Sequence, residues 1–244
     1  MAINKESNGY TFGFAIVLVV VVGTVLALLS MGLKDKQNQN QEVKKKMDIL
    51  KAMLPVEEGD KISRKNAEET FEKYINEEDA LILSAEGKVI GNGKDAFKID
   101  IQKDFKNKTI DKQDRKYPLY VGKKDGNIVY ILPVVGKGLW GPIWGNVSLG
   151  DDMNTIIGVS FGHKGETPGL GAEITQQFFK DRWIKETIAD ENGDFSKFEI
   201  VKDGSGVKPK KIDGITGGTI TSKGVEEMAN RSLAVYSTYF KTLK

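Results

Sequence analysis

The sequence predicts an α+β protein in which a single N-terminal transmembrane helix carries a domain built on a largely antiparallel sheet flanked by helices. Three observations lead there. No charged residue lies between Glu6 and Lys34. Strand-like segments fill the middle of the 244-residue chain, around an Asp125–Gly126 hairpin signal. Apolar residues recur at helical spacing on either side of those segments.

The apolar run from Phe12 to Leu33 has 22 residues; as a helix it would rise about 33 Å and cross a hydrocarbon core of about 30 Å. A cleaved signal peptide has an apolar region of only about 7–15 residues, so the length favours a retained anchor. Lys5 and Glu6 precede the run, whereas Lys34, Lys36, Lys44, Lys45 and Lys46 follow it. Taken alone, that excess places the following domain in the cytoplasm, although long domains cross regardless of flanking charge. Residues 1–11 form an N-terminal tail, 12–33 the transmembrane helix, 34–54 a stalk helix and 55–244 the domain. The stalk carries Val43, Met47, Leu50 and Leu54 at helical spacing.

Within the domain, residues 66–75 place Ala67, Phe71, Tyr74 and Ile75 on one stripe, which predicts a short amphipathic helix. Residues 92–117 are charged and lack a sustained period, and read as a surface connector. Strands follow at Leu119–Val121 and Ile128–Leu132, then at Ile143–Leu149 and Ile156–Phe161, the last two joined by Gly150–Asp152. Helical spacing returns at Ile174, Phe178 and Ile184, and again through Val225, Met228, Ala229, Ser232, Tyr236 and Phe240. There are no internal repeats or heptads.

Composition narrows the chemistry. Lys and Arg number 36 against 34 Asp and Glu, a net charge of +2 that provides no field for nucleic acid. Cysteine is absent, which excludes disulfides, thiolate catalysis and a thiolate-held iron–sulfur cluster. His163 is the single histidine, so metalloenzyme and Ser–His–Asp readings lose weight, and neither catalytic nor metal-ligating residues are assigned.

Three glycine-rich strings remain. Gly136–Gly145 sets Trp140 and Trp144 among glycines; it reads either as a tight connection with its aromatics packed on the core, or as backbone that admits a flat ligand against an aromatic wall. His163–Gly171 contains Pro168–Gly169, a type II turn signal whose neighbouring amides are candidates to face a ligand. Asp213–Ser222 crowds four hydroxyls and three glycines ahead of the last helix. A helix N-terminus offers free N–H donors and the positive end of a dipole, which suits phosphate. As a bare turn, the same string would use Thr221 or Ser222 merely as a helix cap. Its spacing is not that of a P-loop.

Asp213 to Thr221 resembles the D-G-x-[ST]-G-A-T-x-[ST] signature read by flavin transferases, with Gly218 in place of the usual Ala. Gly138–Leu139–Trp140 and Glu166–Thr167–Pro168–Gly169–Leu170–Gly171 look like the other two blocks of the FMN-binding domain family. With its single anchor and stalk, the chain resembles the C-subunit family of sodium-translocating NADH:quinone oxidoreductases over nearly its full length. That resemblance implies FMN held covalently through a phosphoester to Thr219. It implies that Asp213, Thr216, Gly217 and Thr221, around Gly218, are read by a flavin transferase during maturation. Leu139, Trp140, Glu166, Thr167, Gly169, Leu170 and Gly171 would border the isoalloxazine ring. It further implies an electron relay within a six-subunit membrane redox complex that oxidises NADH, reduces quinone and exports sodium. The chain would be single-pass in the cell inner membrane, in contact with lipid, with an extracytoplasmic, periplasmic domain, against the lysine count. Two rival readings stand beside it: the G subunit of the Rnf ferredoxin:NAD oxidoreductase, and a cofactor-free, membrane-tethered binding module.

Overall fold

In the computed structural model, which describes residues 7–243, the apolar run and the polar segment after it form one unbroken helix, α1 (Asn8–Met53). Lys5, Glu6 and the rest of residues 1–6 lie outside the described residues. No proline interrupts α1 before Pro55, and its backbone shows no break between the apolar run and the polar residues after it. The chain divides into two compact units between Lys45 and Lys46. In the first, the apolar side chains from Phe12 to Leu33 are exposed, on a helix long and apolar enough to cross a membrane.

The second unit begins with the last turns of α1, which bury Ile49, Leu50, Ala52 and Met53. α2 (Val56–Gly59) and α3 (Ala67–Tyr74) follow. Six antiparallel strands then form one sheet in the order β2-β1-β3-β4-β5-β6: β1 (Leu81–Leu83), β2 (Val89–Asn92), β3 (Tyr117–Lys124), β4 (Asn127–Lys137), β5 (Pro142–Leu149) and β6 (Ile156–His163). The expected hairpin joins β3 to β4, with Asp125 and Gly126 at φ +50° and +83°, the double left-handed conformation of a type I′ turn.

Both faces of the sheet are covered. On one, Leu132, Val134, Val147, Val159 and Phe161 pack with Val225, Met228, Leu233 and Tyr236 of the long helix α7 (Thr219–Lys241). On the other, the end of α1 lies across β6: Ser160 donates to the Asp48 carbonyl at 2.8 Å, and Asn146 donates to Ser160 Oγ at 3.2 Å.

Tyr236 reaches the sheet where it needs a donor. The β3–β4 ladder stops at Tyr120↔Ile131, one step short of Leu119 and Leu132 and two short of Pro118 and Pro133, which have no N–H. The buried Tyr236 hydroxyl lies 2.9 Å from both proline carbonyls and shares its one proton between them, and burial pushes its phenol well above the ordinary value. Tyr236→Phe should therefore cost about 1–3 kcal/mol, read as a lowered midpoint in thermal unfolding with the sheet's circular dichroism unchanged.

The short elements depart from the sequence expectations. Residues 92–117 are not simply a connector: they form α4 (Asp95–Lys98) and α5 (Ile101–Lys106). Asp100 caps α5 through the amides of Gln102 and Lys103, and Phe97 stacks on Tyr120 at 4.3 Å. The helical spacing through Ile174, Phe178 and Ile184 resolves into a 3₁₀ turn (Gly171–Thr175) and the five-residue α6 (Gln177–Asp181), with Phe179 rather than Phe178 buried. A small parallel pair, β7 (Glu199–Val201) and β8 (Lys211–Asp213), leads toward α7. Elements of three to six residues are too short to display a period.

Candidate functional site

α7 begins at Thr219, with Gly218 as its N-cap and no capping side chain. Among the described residues the amides of Thr219, Ile220 and Thr221 make no hydrogen bond, so three donors stand free there at the positive end of a 23-residue helix. The cap role considered for Thr221 or Ser222 is not the one they take. Ser222 Oγ instead accepts from Ile215 N at 2.9 Å, tightening the loop before the helix.

That loop is also held from behind. The Arg182 guanidinium donates to the carbonyls of Asp213 at 3.0 Å and Gly214 at 2.8 Å, and to Asp203 at 2.9 Å. Thr216 Oγ1 donates to the other Asp203 oxygen at 3.1 Å, and Asp213 Oδ1 accepts from Gly206 N at 2.5 Å. Gly218 is buried; an alanine Cβ there would meet Ile215 Cβ at 3.0 Å and the Leu170 carbonyl carbon at 3.2 Å, so glycine at this position suits the tight local packing.

The β4–β5 connection closes with Gly138 N donating to Gly141 O at 2.8 Å. It turns Leu139 and Trp140 outward, 48% and 69% exposed, so Trp140 is an exposed wall and not a core anchor. The segment after β6 makes the expected type II turn: Gly169 has φ +75° and Leu170 N donates to Thr167 O at 3.1 Å. Two more of its amides are taken within the segment. Gly169 N is taken by Glu173 Oε1 at 2.8 Å and Ala172 N by Thr167 O at 3.1 Å. His163 Nδ1 accepts from Glu166 N at 3.1 Å.

Glu166 joins the three strings. Its side chain is buried; Oε1 accepts from Trp140 N at 2.8 Å and Oε2 from Thr221 Oγ1 at 2.5 Å. Two glycines make room for it. A Cβ on Gly138 would lie 2.6 Å from Glu166 Oε1, and one on Gly171 would lie 2.5 Å from Thr221 Oγ1 and 2.6 Å from Glu166 Oε2.

Around this clamp lies a hollow of about 210 Å³ to which each string contributes: Leu139 and Trp140; Glu166, Thr167, Leu170 and Gly171; and Gly217 through Thr221. Asp213, Thr216 and Gly169 do not line it. Ile220, 60% exposed, does; its signal in the sequence was a lone apolar residue between two hydroxyls at a helix start. The arrangement fits a flavin nucleotide: free amides and a helix dipole for a phosphate, the exposed Thr219 hydroxyl at the same point, and apolar faces from Leu139, Trp140, Leu170 and Ile220 for a flat ring.

Comparison with known proteins agrees with that fit. Residues 138–234 match the FMN-binding domain family. A 127-residue stretch is 37% identical to the C subunit of the Na(+)-translocating NADH-quinone reductase of Pseudomonas aeruginosa, covering 49% of this chain and 48% of that protein. Over 122 residues the chain is 43% identical to the corresponding C subunit of Chlamydia trachomatis, covering 43% of this chain and 38% of that protein. The chain thus spans about half, or less, of the length of these curated relatives. The crystal structure of the C subunit from Parabacteroides distasonis superposes with a TM-score of 0.72 at 36% identity, covering 85% of this chain and 96% of that one.

Proposed function

The chain belongs to the C-subunit family of Na(+)-translocating NADH-quinone reductases, and from that premise we propose that it is the FMN-bearing electron-relay subunit of such a complex, with the flavin phosphate esterified to Thr219 Oγ1. The observation that carries this reading is the meeting of three glycine-rich strings in one hollow at the uncapped start of α7.

The chemistry follows from the residues. A phosphodiester on Thr219 keeps one negative charge beside the three free amides, where the helix dipole contributes about 0.3–1 kcal/mol. Leu139, Trp140, Leu170 and Ile220 offer apolar surface to the ring, while Arg182 and Asp203 fix the loop that presents the hydroxyl. Bound FMN supplies the reversible electron chemistry, and no side chain is required as acid or nucleophile in turnover. Attachment forms one O–P bond at Thr219 as the hydroxyl proton leaves. It balances if a flavin transferase uses a pyrophosphate-linked flavin dinucleotide, breaking its P–O–P bond and releasing a nucleoside monophosphate. In the folded chain the exposed Thr216 and Gly217 are available for that enzyme to read. Thr221, buried against Glu166, and Asp213, bonded to Gly206, hold the shape it reads.

Residues 12–33 span the inner membrane once, 34–54 form the stalk, and 55–244 form the FMN-binding domain on the periplasmic side. A covalent tether there keeps the cofactor from loss to a dilute medium. The other subunits of a six-subunit redox complex and membrane lipid are its partners.

Peptide mass mapping of residues 212–223 from native membranes tests the linkage. An FMN-sized increase located on Thr219 is expected. A bare peptide from protein that nevertheless carries flavin would sink the ester, and flavin-free native material would sink the relay. Co-purification with sodium-stimulated NADH:quinone activity, rather than with a ferredoxin:NAD oxidoreductase, tests the complex.

A further inference from the structure

Among the described residues lining the hollow, Glu166 alone is ionisable. It is 4% exposed, and no Lys, Arg or His side chain lies within ion-pair distance of its carboxylate among the described residues. We infer that Glu166 is a positioning residue whose carboxylate charge, with no cation paired to it among the described residues, holds the reduction potential of the bound flavin down, while its two hydrogen bonds set the spacing between Trp140 and the start of α7.

The geometry explains how a carboxylate is kept there without a cation. Each oxygen accepts a hydrogen bond, one from the Trp140 amide and one from the Thr221 hydroxyl, at 2.8 Å and 2.5 Å. The Trp140 amide can only donate and the Thr221 hydroxyl is able to donate, so the two contacts accommodate a carboxylate. Thr221 is the third residue of α7, so the carboxylate also lies at the positive end of the helix dipole. Gly138 and Gly171 leave the space its oxygens occupy, so the group is held in a fixed position. A fixed charge on a buried side chain acts on a neighbouring group more strongly than one in solvent. Reducing the flavin adds negative charge next to this one, so the carboxylate disfavours reduction and the potential falls.

This inference rests on the flavin reading of the same hollow. The test uses the full chain in detergent, co-produced with a flavin transferase, and follows flavin absorbance in a redox titration. Glu166→Gln keeps the shape and one acceptor for the Trp140 amide and removes the charge. In the molecules that carry flavin, its midpoint potential is expected to shift positive, whatever the change in flavin content or thermal midpoint. An unshifted potential in that variant would overturn the inference. Glu166→Asp keeps the charge and shortens the reach: a potential at or below wild type is expected, and a positive shift like that of Gln would assign the effect to geometry and overturn it. If Glu166→Gln does not fold, Glu166→Asp decides alone on the same criterion. Wild-type protein that carries no flavin would instead refute the function from which the inference starts.

Discussion

Thr219→Ala should abolish covalent flavin and leave the fold intact. Thr219 is exposed, is the first residue of α7, and its hydroxyl makes no hydrogen bond among the described residues. The substitution removes an oxygen that supports no packing, and alanine is the better helix former. Its thermal midpoint should correspond to wild-type stability within about 0.5 kcal/mol. Fluorescence of the denatured band on an electrophoresis gel, present in wild type made with a flavin transferase, should disappear entirely. A Thr219→Ala band that still fluoresces would move the ester to another hydroxyl. Of the neighbours, Thr221 is buried with its hydroxyl bonded to Glu166, and Ser222 is bonded to Ile215, which leaves Thr216 as the exposed alternative.

The largest loss of stability from a single methyl should come at Gly158→Ala. Strand alternation turns Val159 and Phe161 into the core under α7 and turns Gly158 and Ser160 toward the end of α1. A Cβ at Gly158 would lie 2.1 Å from the Ala52 carbonyl oxygen, and because that atom is backbone no side-chain rotation relieves the clash. The last turn of α1 must lift from β6, exposing some of Ile49, Leu50, Ala52 and Met53, at a cost of about 3 kcal/mol or more. For a domain of this size that lowers the thermal midpoint by about 6–12 °C. Gly150→Ala is the control, since its methyl would make only ordinary contacts of 3.6 Å. Covalent flavin should persist in Gly158→Ala, because the hollow lies at the start of α7, whose core is on the other face of the sheet. Equal midpoints for the two variants would refute the close approach of α1 to β6.

The largest features of the fold were legible because each is a local pattern with a local cause. A 22-residue run, apolar but for Thr24 and Ser30 and without a charge, carries its helix signal locally. Asp125–Gly126 adopts the left-handed turn that its residue types favour, and the alternation on either side becomes β3 and β4. α7 follows its apolar stripe. The elements that carry little local signal are short: β1, β2, β7 and β8 have three or four residues each, and the helices of 92–117 have four and six. Their stability comes from the neighbours they pair with, so the segment alone does not reveal them.

At the site, the sequence by itself determined the ingredients: hydroxyls ahead of a helix, glycines where backbone must come close, and an aromatic between two strands. Only the tertiary structure decided their roles. Trp140 and Glu166 are 26 residues apart and Glu166 and Thr221 are 55 apart, yet one buried carboxylate binds both. Glu166, expected at the edge of a ring, lines the hollow and also clamps its walls together. Thr221, whose role in the sequence was that of a residue read by a transferase, is buried in the folded chain with its hydroxyl on Glu166. Gly138 and Gly171 are glycine because that clamp fills the space a side chain would need. Hydrogen bonds and steric exclusion between distant segments depend on how the sheet brings them together, and no local propensity encodes that registry.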